Sequence, residues 1–537
     1  MDKLDNLTLS YAIDFGTSNT VISRWNSVNQ QPEIITLPGL SGKLADNPPI
    51  IPSLVYVQDA QIPQLFLGQQ VKDQGLDLRH SPRYFAGFKR GIGASIQGFL
   101  PELDSIPISF EKLGQWYLQG IIANLQQQTQ ENPSCLVLTV PVDSFESYRR
   151  WLSGVCQTWS VEQIKIIDEP TAAALGYGAT TEDLVLVIDF GGGTIDFSLV
   201  KLDNPQSNEG LLLKWGTKLI GQNTPKKAKV AKVLAKAGKN LGGIDLDNWL
   251  VDYFVEKQGL TPSSLVNRLC ERLKIQLSTQ ENATEVYFDD QSFTTYELSL
   301  DQDTFNHILQ EREFFSQLDE LLTQVLQQGK RNGIDKDNIG AVLLVGGTVK
   351  IPAVQNWIAQ YFTPAQIRCD RPLEAIALGA LQLTQGRELR DFLYHSYGIR
   401  YWDRRKQAHN WHPLINSGQP YPMDQPLELL LGASWDNQPS VELVIGELGS
   451  EIGATEVYFQ GDRLVTRSVN AGQTQVQPLN DQEGAKTIAR LEPPGNPGSD
   501  RLKVLFWVDE QRYLRITVED LLTEALLLSN QIVAELR

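Results

Sequence analysis

A strand, a glycine turn and a second strand in residues 184–200, LVLVIDFGGGTIDFSLV, most constrain how this chain can fold. Residues 184–188 form a continuous apolar run of the length expected for a buried strand, and Asp189 and three glycines follow it. From Ile195 onward apolar and polar residues alternate, which predicts a second strand with one polar face running back along the first. The segment therefore predicts a β-hairpin.

The hairpin has a second copy near the start of the chain. The letters IDFG occur at residues 13–16 and again at 188–191, an offset of 175 (188 minus 13). Glycines in such a turn let backbone N–H groups converge on an anion, and an adjacent carboxylate can hold Mg²⁺ through water. A lone glycine turn could be an ordinary tight hairpin. Two turns with matched Asp14 and Asp189 instead predict a duplicated domain that faces one polyphosphate, without a Walker or dinucleotide-binding glycine motif.

Length, composition and charge bound the remaining possibilities. The 537 residues, 41% of them hydrophobic, suffice for roughly three or four domains with large cores. A net charge of −17 argues against general nucleic-acid binding. No apolar run approaches the ~20 residues of a membrane span and no signal sequence precedes the first strand, so we expect no membrane span and a cytoplasmic location.

Cysteines and histidines give no metal pattern. The four cysteines lie far apart without a CxxC, which predicts buried thiols instead of a disulfide framework or a zinc site. His409 and His412 form a lone HxxH, more typical of a loop or packing feature than of a metal site.

Two short charged segments allow two interpretations each. Lys89 and Arg90 lie between glycines in FAGFKRGIG and could reach a phosphate or lie on an exposed loop. Asp168 and Glu169 precede a helix whose first position is Pro170. They could serve a metal or water, although the residues alone favour an interaction with the helix dipole.

Residues 214–239 carry eight lysines and no acidic residue. Val230, Val233, Leu234 and Ala237 have i, i+3, i+4, i+7 spacing, which predicts a short basic amphipathic helix that ends at Gly238. Such a helix could dock an acidic partner, or its lysines could form a solvated face that balances the acidic remainder. Both interpretations remain open.

The second half of the chain changes from helices to strands. A predicted helix over 265–278 places Glu271, Lys274 and Ser278 in one polar stripe, and a longer helix is predicted over 303–330. A buried strand then leads to a glycine turn at Gly346 and Gly347. Beyond residue 386, alternating strands separated by turn signals predict an all-β domain.

Taken together, these motifs resemble the 70-kilodalton heat-shock chaperone family. Residues 11–383 contain, in order, DFGTSNT, TVP, DEPTAAALGYG, DFGGGTIDFS, NLGGIDLDN, CERLKIQLS, LVGGTVKIP and EAIALGA. These resemble the family's two-lobed, actin-like ATPase domain, a duplicated ribonuclease-H-like α/β fold. PLINSGQPYP, DNQPSVELVIGE and YLRITVED resemble its β-sandwich peptide-binding domain.

The resemblance implies a domain organisation. It places an actin-like ATPase domain in residues 1–386 with a basic insertion at 214–239, and an interdomain linker containing DFLY in 387–397. A β-sandwich occupies 398–537, and because the sequence ends at Arg537 we expect it to lack the family's helical lid.

The resemblance also implies ATP or ADP and Mg²⁺ as cofactors. Asp14 and Asp189 would place hydrated Mg²⁺, Glu169 would position water, and Lys89 would stabilise charge that develops on the γ-phosphate. Thr17 and Thr194 would contact phosphate or the attacking water. The remaining implied nucleotide contacts are Gly16, Ser18, Gly191, Gly192, Gly193, Gly243, Glu271, Lys274, Ser278, Gly346, Gly347 and Lys350. Pro141 and Arg149 match the family's relay between lobes.

Three departures from the family pattern fall at the nucleoside contacts. Ile275 replaces a basic residue, Leu373 an acidic one, and Lys350 an arginine whose planar guanidinium would stack on adenine better than an ammonium. They predict weaker nucleotide binding.

The function implied is an ATP-hydrolysing chaperone-like protein that couples nucleotide state to the binding of unfolded or extended peptides. J-domain co-chaperones and a nucleotide exchange factor are its implied partners. The alternative is a nucleotide-sensing regulatory protein with negligible turnover. Filament-forming and sugar-phosphorylating proteins share the ATPase fold, but the β-domain weighs against both.

Overall fold

The structure is a computed structural model that describes part of the sequence. The folded chain consists of two compact units. The described residues are 9–26, 29–42, 47–77, 81–94, 96–97, 101–130, 132–141, 145–161, 163–178, 184–202, 231–289, 293–385, 391–393, 396–403, 408–416, 419–423, 425–448, 454–460, 463–469, 476–480, 486–509 and 511–536. The first unit comprises residues 1–389 and 455–468, and the second comprises 390–454 and 469–537. The sequence interpretation had placed 455–468 in the β-sandwich.

Helices and most of the parallel strands lie in the first unit. Its strands before residue 390 are β1 (Ser10–Phe15), β2 (Asn19–Asn26), β3 (Gln31–Ile34), β4 (Ile51–Pro52), β5 (Leu54–Asp59), β6 (Gln64–Leu67), β7 (Tyr84–Ala86), β8 (Ile96–Gln97), β9 (Glu102–Leu103), β10 (Ile106–Pro107), β11 (Cys135–Val140), β12 (Gln163–Asp168), β13 (Leu184–Phe190), β14 (Ile195–Leu202), β15 (Ala231–Lys239), β16 (Asn282–Asp289), β17 (Thr294–Asp301), β18 (Ala341–Val345) and β19 (Ile367–Arg368). Its helices are α1 (Gln69–Asp73), α2 (Phe110–Thr129), α3 (Phe145–Cys156), α4 (Glu169–Gly176), α5 (Gly243–Gln258), α6 (Ser264–Leu277), α7 (Gln302–Glu311), α8 (Phe314–Arg331), α9 (Pro352–Ile358) and α10 (Ala375–Leu381).

Two sheets of this unit repeat one topology. Their strand orders are β12-β11-β1-β2-β3, with β4 also pairing β2, and β19-β18-β13-β14-β15. In each, the strand that contains Asp14 or Asp189 lies parallel to one neighbour and antiparallel to the strand that follows it in the chain. Both predicted hairpins are confirmed.

Small residues bring α4 and α10 together backbone to backbone. A Cβ atom at Gly176 would collide with the Ala375 carbonyl, and one at Gly379 would collide with the Ala172 carbonyl. The core around this contact includes side chains from both sheets, such as Ala12 and Val185. The two helices therefore join the two sheets through a contact without interleaved side chains.

Strand β15 corrects the predicted basic helix. Ala235 and Ala237 are buried beside β14, and Leu234 is an extra residue between the partners of Leu199 and Val200. Val233 packs against the core that contains Val185, whereas Leu234 packs against the core that contains Leu199, so apolar residues on both faces of one strand imitated helical spacing in the sequence. Pairing with β14 satisfies the backbone groups and overrides the local pattern. Residues 214–230 of the lysine-rich segment lie outside the described residues.

The helix predicted over 303–330 is two helices. Glu313 adopts a left-handed φ of 54° between α7 and α8, which interrupts the helical hydrogen-bond series. Phe305 before the break and Phe314 after it are both buried in the same core. The apolar periodicities of the two helices are similar enough in the sequence to predict a single helix.

The second unit contains only strands among its described elements, as predicted. With the hairpin strands that lead into and out of residues 455–468 included, the strands are β20 (Asp391–Phe392), β21 (Ser396–Asp403), β22 (Ala408–Ile415), β23 (Pro420–Tyr421), β24 (Leu427–Gly432), β25 (Gln438–Leu443), β26 (Ile445–Leu448), β27 (Ala454–Gln460), β28 (Arg463–Val469), β29 (Val476–Pro478), β30 (Lys486–Gly495), β31 (Asp500–Val508), β32 (Tyr513–Asp520) and β33 (Ala525–Glu535). The main sheets have the orders β22-β21-β26-β29 and β24-β31-β32-β33.

Part of the predicted linker belongs to this second unit. β20 pairs with β23, and the Leu393 backbone N–H donates to the Gln419 carbonyl at 2.9 Å. The Leu393 side chain is 1% exposed in the core that also contains Tyr397 and Phe506. Residues 391–393 are therefore a structural part of the β-unit, whereas Tyr394 lies outside the described residues.

Candidate functional site

The tips of the two matched hairpins lie against each other. Each turn is closed by one equivalent hydrogen bond, from the Gly16 N–H to the Asn19 carbonyl at 3.0 Å and from the Gly191 N–H to the Thr194 carbonyl at 3.1 Å. A Cβ atom on Gly192 would overlap the Ser18 side chain, and one on Gly193 would come within 2.7 Å of Thr17. The structure thus brings together all of the predicted turn residues, and only glycine permits this approach.

Asp14 and Asp189 are the penultimate residues of β1 and β13, where the two sheets meet at this junction. Burial raises the pKa of Asp14 to about 7, and the charge of Glu169 adds to the shift, whereas Lys89 and a 2.8 Å hydrogen bond from Thr139 Oγ1 oppose it. Burial also holds the pKa of Asp189 well above its ordinary value, with contributions from Glu169, Asp196 and Asp14. Two carboxylates in such surroundings favour a bound cation.

Lys89 and Glu169 form a buried ion pair beside these aspartates. Lys89 Nζ donates to Glu169 Oε1 at 2.8 Å, and the ammonium lies 5.6 Å from the ring centroids of Phe15 and Tyr148. Burial alone would lower the pKa of Lys89, but Glu169, Tyr148 and Asp14 together raise it. Lys89 therefore remains charged, and the structure places it close to Asp14 and Glu169.

Asp168 and Glu169, at the start of α4, have different contacts. Asp168 is the N-cap of α4, and its Oδ1 accepts from the Thr171 N–H at 2.8 Å. Glu169 instead turns to Lys89. The interpretation based on the helix end thus holds for Asp168, whereas Glu169 faces the charged site.

The start of α5 contacts the glycine turn of the second hairpin. The N–H groups of Gly243 and Ile244 donate to the carbonyls of Gly191 and Gly192 at 3.0 and 2.9 Å. Thr348 Oγ1 donates to the same Gly191 carbonyl at 3.0 Å. Predicted Gly243 is therefore placed directly at the turn.

Lys274 links α6 to the same place. Its Nζ donates to the Gly243 carbonyl at 2.8 Å and lies 2.7 Å from Asp247 Oδ1. Burial raises the pKa of Asp247 to about 7, with Lys274 opposing the shift and Glu271 adding to it. Ser278 ends α6, and its hydroxyl donates to the Lys274 carbonyl at 3.2 Å. The predicted polar stripe of α6 thus lies beside the turn.

The last predicted group follows β18. Gly346 has a φ of 86°, and a Cβ atom there would collide with the Phe190 carbonyl. A Cβ atom on Gly347 would lie 3.7 Å from Leu373 Cδ2. Lys350 Nζ donates to Asn47 Oδ1 at 2.6 Å. That contact joins residues 303 positions apart and was not predicted.

Sequence reasoning missed several residues of the site. Thr139 contacts Asp14, Asp196 lies near enough to raise the pKa of Asp189, and Asp247 holds Lys274. Asp196 lies on the polar face of β14, and this alternation in the sequence could have indicated that it belongs to the site. Thr139 and Asp247 gave no such signal, because only the tertiary fold brings them to the charged groups.

The donor set suits a cation that keeps its own water. Among the described residues no group of three or more His, Cys, Asp and Glu side chains could hold a metal ion directly. In the described part of the chain, Asp14 and Asp189 are therefore not joined by a third such side chain in a group that could coordinate a metal directly. Hydrated Mg²⁺ is bound in this way, through one or two carboxylates and water. His409 instead packs edge-on against Trp402, with ring centroids 5.1 Å apart.

Family comparison agrees with this arrangement. The model described as "Hsp70 protein" matches residues 101–208 and 227–393, just over half of the chain. This chain belongs to the Hsp70 family. The matched ranges of this Hsp70 family member include the second hairpin, α4, α5 and α6, whereas Asp14 and Lys89 lie before them.

Curated relatives are chaperones of low identity. The chain is 27% identical over 497 residues to chaperone protein dnaK1 of Synechocystis, an alignment that covers 85% of this chain and 63% of the relative. It is 26% identical over 398 residues to a chaperone protein HscA homolog of Colwellia psychrerythraea, an alignment that covers 69% of this chain and 57% of the relative. It is 24% identical over 532 residues to chaperone protein DnaK of Thermotoga petrophila, covering 95% and 78%. The chain therefore spans about 57–63% of the first two relatives.

The described helices include none that is both long and apolar enough to cross a membrane.

Proposed function

We propose that this Hsp70-family chain is an ATP-driven chaperone that hydrolyses ATP in its first unit and couples nucleotide state to the binding of extended peptides by its β-unit. The observation that carries this proposal is the meeting of two aspartate–glycine hairpins beside the buried Lys89–Glu169 pair. In this proposal the two sheets of equal topology are the two halves of a two-lobed, actin-like domain, and the second unit is the β-sandwich.

The residues present fit a magnesium nucleotide. Asp14 and Asp189 would hold the cation through its water shell, and glycine at positions 192 and 193 lets the two hairpin tips meet. When bound, Mg²⁺ would neutralise phosphate charge and orient the phosphates of ATP. Gly16, Thr17, Ser18 and the glycines of the second turn would contact the phosphates. Glu271, Lys274, Ser278, Gly346, Gly347 and Lys350 would contact the nucleoside.

The chain's own residues supply positioning and charge. Lys89, held by Glu169 and the two aromatic rings, keeps one positive charge at a fixed place, which is the electrostatic stabilisation that phosphoryl transfer requires. Glu169 Oε1 accepts from Lys89, and its carboxylate can orient water. Thr194 ends the glycine turn, where its hydroxyl can contact phosphate or water.

The partners remain part of the proposal. The names of the relatives support extended or unfolded peptides as ligands of the β-unit, with a J-domain co-chaperone and a nucleotide exchange factor as regulators. An acidic partner for residues 214–239 is supported only by the lysines in the sequence, because most of that segment lies outside the described residues.

A second candidate is a nucleotide sensor with negligible turnover. The Lys350 ammonium is bound to Asn47, and Ile275 is 38% exposed on α6. Neither offers the planar cation that would stack on a base, which favours weak or transient nucleotide binding.

Single-turnover hydrolysis of ATP, with and without an unfolded peptide, tests the proposal. We expect measurable Mg²⁺-dependent hydrolysis that peptide accelerates, because the two functions are coupled. The control is Asp189→Asn measured in the same way. ATP binding without hydrolysis would support the sensor, and the absence of nucleotide binding would reject both candidates.

A further inference from the structure

Arg90 stands next to Lys89 on one short turn but faces a different part of the site. The residues 88–91 form a 3-10 turn in which Phe88 and Gly91 are buried. Lys89 contacts Glu169, whereas the Arg90 guanidinium contacts the Gly193 carbonyl through Nη2 and Asp245 Oδ2 at 2.8 Å. The Arg90 side chain is 0% exposed. One turn therefore reaches the carboxylates of the first sheet and the glycine turn of the second.

Asp245 connects Arg90 to the start of α5. Its Oδ2 accepts from the Gly242 N–H at 2.7 Å in the capping box of that helix. The next two N–H groups, of Gly243 and Ile244, hold the carbonyls of Gly191 and Gly192. The carbonyls of all three glycines are thus occupied, two by α5 and the third by Arg90.

Occupied carbonyls fix the direction of the N–H groups that follow them. In a planar trans peptide the C=O of one residue and the N–H of the next point in opposite directions. Anchoring the carbonyls of residues 191–193 therefore orients the N–H groups of residues 192–194 away from α5 and Arg90. These are the backbone donors that an anion at the glycine turn would use.

We propose that Arg90 is a positioning residue that orients the backbone donors of the Gly191–Gly193 turn and fixes their distance from Lys89. Its use in catalysis rests on the proposed nucleotide function, whereas its effect on the turn does not. An arginine suits this place because its planar fork can hold a carbonyl and a carboxylate together, which an ammonium cannot do with the same geometry.

Hydrogen exchange of the nucleotide-free protein tests the effect on the turn. We expect Arg90→Met to increase exchange in peptides covering residues 190–195 and 242–246 by roughly threefold or more, because the anchored peptide groups lose a partner. Arg90→Lys should give a smaller increase. The matched control is Arg83→Met, which breaks a partly exposed pair with Asp104 (2.6 Å) elsewhere in the unit. Equal exchange in Arg90→Met and Arg83→Met would overturn the proposal.

Nucleotide measurements then separate positioning from a merely structural role. We expect Arg90→Met to weaken binding of ADP with Mg²⁺ and to slow single-turnover hydrolysis, each by about tenfold, with partial rescue by Arg90→Lys. Asp245→Asn should reproduce part of the loss. Unchanged ADP affinity and hydrolysis in folded Arg90→Met would overturn the proposal. If the unsubstituted protein binds no nucleotide, the proposed function fails, and the hydrogen-exchange comparison decides the role of Arg90.

Discussion

Lys89 Nζ and Glu169 Oε1 are 2.8 Å apart, and the two side chains are only 9% and 11% exposed. Asp14 and Asp189 lie close enough to this pair for the charges of Glu169 and Lys89 to shift the pKa of both aspartates. The cluster therefore combines three carboxyl groups with one ammonium. Its charge can be balanced by a divalent cation, whereas without a cation the aspartates are driven toward protonation.

The first prediction concerns hydrolysis. We expect Lys89→Ala and Asp189→Asn to retain measurable ATP binding and to slow hydrolysis by roughly a hundredfold or more, because both act mainly on charge that develops during transfer. Calorimetry measures the binding and rapid quench measures a single turnover. Lys112→Ala is the control, since that ammonium lies over the Trp116 ring on α2. Turnover equal to that of the unsubstituted protein in both variants would contradict the assignment.

The second prediction concerns pH and stability without nucleotide. Because the folded-state pKa of Asp14 is raised from 3.8 to about 7, its contribution to the free energy of unfolding is complete below about pH 4 and is lost as the pH rises to 7. At most on the order of 4 kcal/mol is lost. Asp14→Asn should therefore be more stable than the unsubstituted protein at pH 8, and the advantage should shrink at pH 5.5.

Urea unfolding at the two pH values measures this difference. Asp104→Asn is the control of opposite sign, because Arg83 lowers the pKa of Asp104 to about 2. The stability that this carboxylate contributes is lost only as the pH falls toward 2. The stability difference between Asp104→Asn and the unsubstituted protein should therefore be the same at pH 5.5 and at pH 8. An Asp14→Asn advantage that is independent of pH would refute the account of Asp14.

The third prediction tests the meeting of the hairpin tips. We expect Gly192→Ala to weaken ADP binding by at least about tenfold, because the added Cβ would overlap the Ser18 side chain. The double variant Gly192→Ala with Ser18→Gly should recover part of the affinity. Gly154→Ala on α3 is the control, since no atom lies within 4 Å of a Cβ there. Failure of Ser18→Gly to improve on the single variant would count against the contact.

The fourth prediction concerns Lys350. Replacing it with arginine should tighten ATP binding about tenfold, or ~1.4 kcal/mol, because a planar guanidinium can stack on the base. Asn47→Ala reports separately on the loss of the 2.6 Å contact. Isothermal titration calorimetry provides both values, and affinity that is unchanged or weaker in Lys350→Arg would reject the stacking argument.

The fifth prediction concerns the peptide binding proposed for the β-unit. Residues 407–462 contain eight carboxylates and no lysine or arginine, and six of the carboxylates lie in residues 407–454 of the second unit. We expect extended peptides with an apolar centre and basic flanks to bind more tightly than matched peptides with acidic flanks, since strand pairing supplies affinity and charge steers approach. Fluorescence anisotropy in ADP and in ATP measures this. Equal affinities would exclude the charge effect, and affinities independent of nucleotide would exclude the coupling.

Local patterns predicted the parts of the site whose chemistry is encoded next to their own strand or helix. The two hairpins, the α4 entrance and the α6 stripe all follow from periodicity, glycine and capping residues. The strand that follows residue 230 did not, because its partner β14 lies about thirty residues earlier and apolar residues on both of its faces imitate helical spacing. A pattern within one segment does not report a distant pairing partner.

Long-range polar contacts were equally hidden. Arg90 and Asp245 are 155 positions apart, and Lys350 and Asn47 are 303 apart. Each of these residues alone could lie on a solvated surface. Only the fold determines which buried group each side chain meets. The contacts that hold the site residues in place could therefore not be predicted from the sequence.

The meeting of α4 and α10 limits how this protein can change over evolutionary time. At the hairpin tips, a larger residue at position 192 can be accommodated by a second substitution, because Ser18→Gly removes the side chain that it would meet. At Gly176 and Gly379 the opposing atoms are backbone carbonyls, of Ala375 and Ala172. A backbone carbonyl is the same in every amino acid, so no second substitution can make room there. A mutation at either glycine therefore cannot be compensated by replacing the residue whose carbonyl it meets.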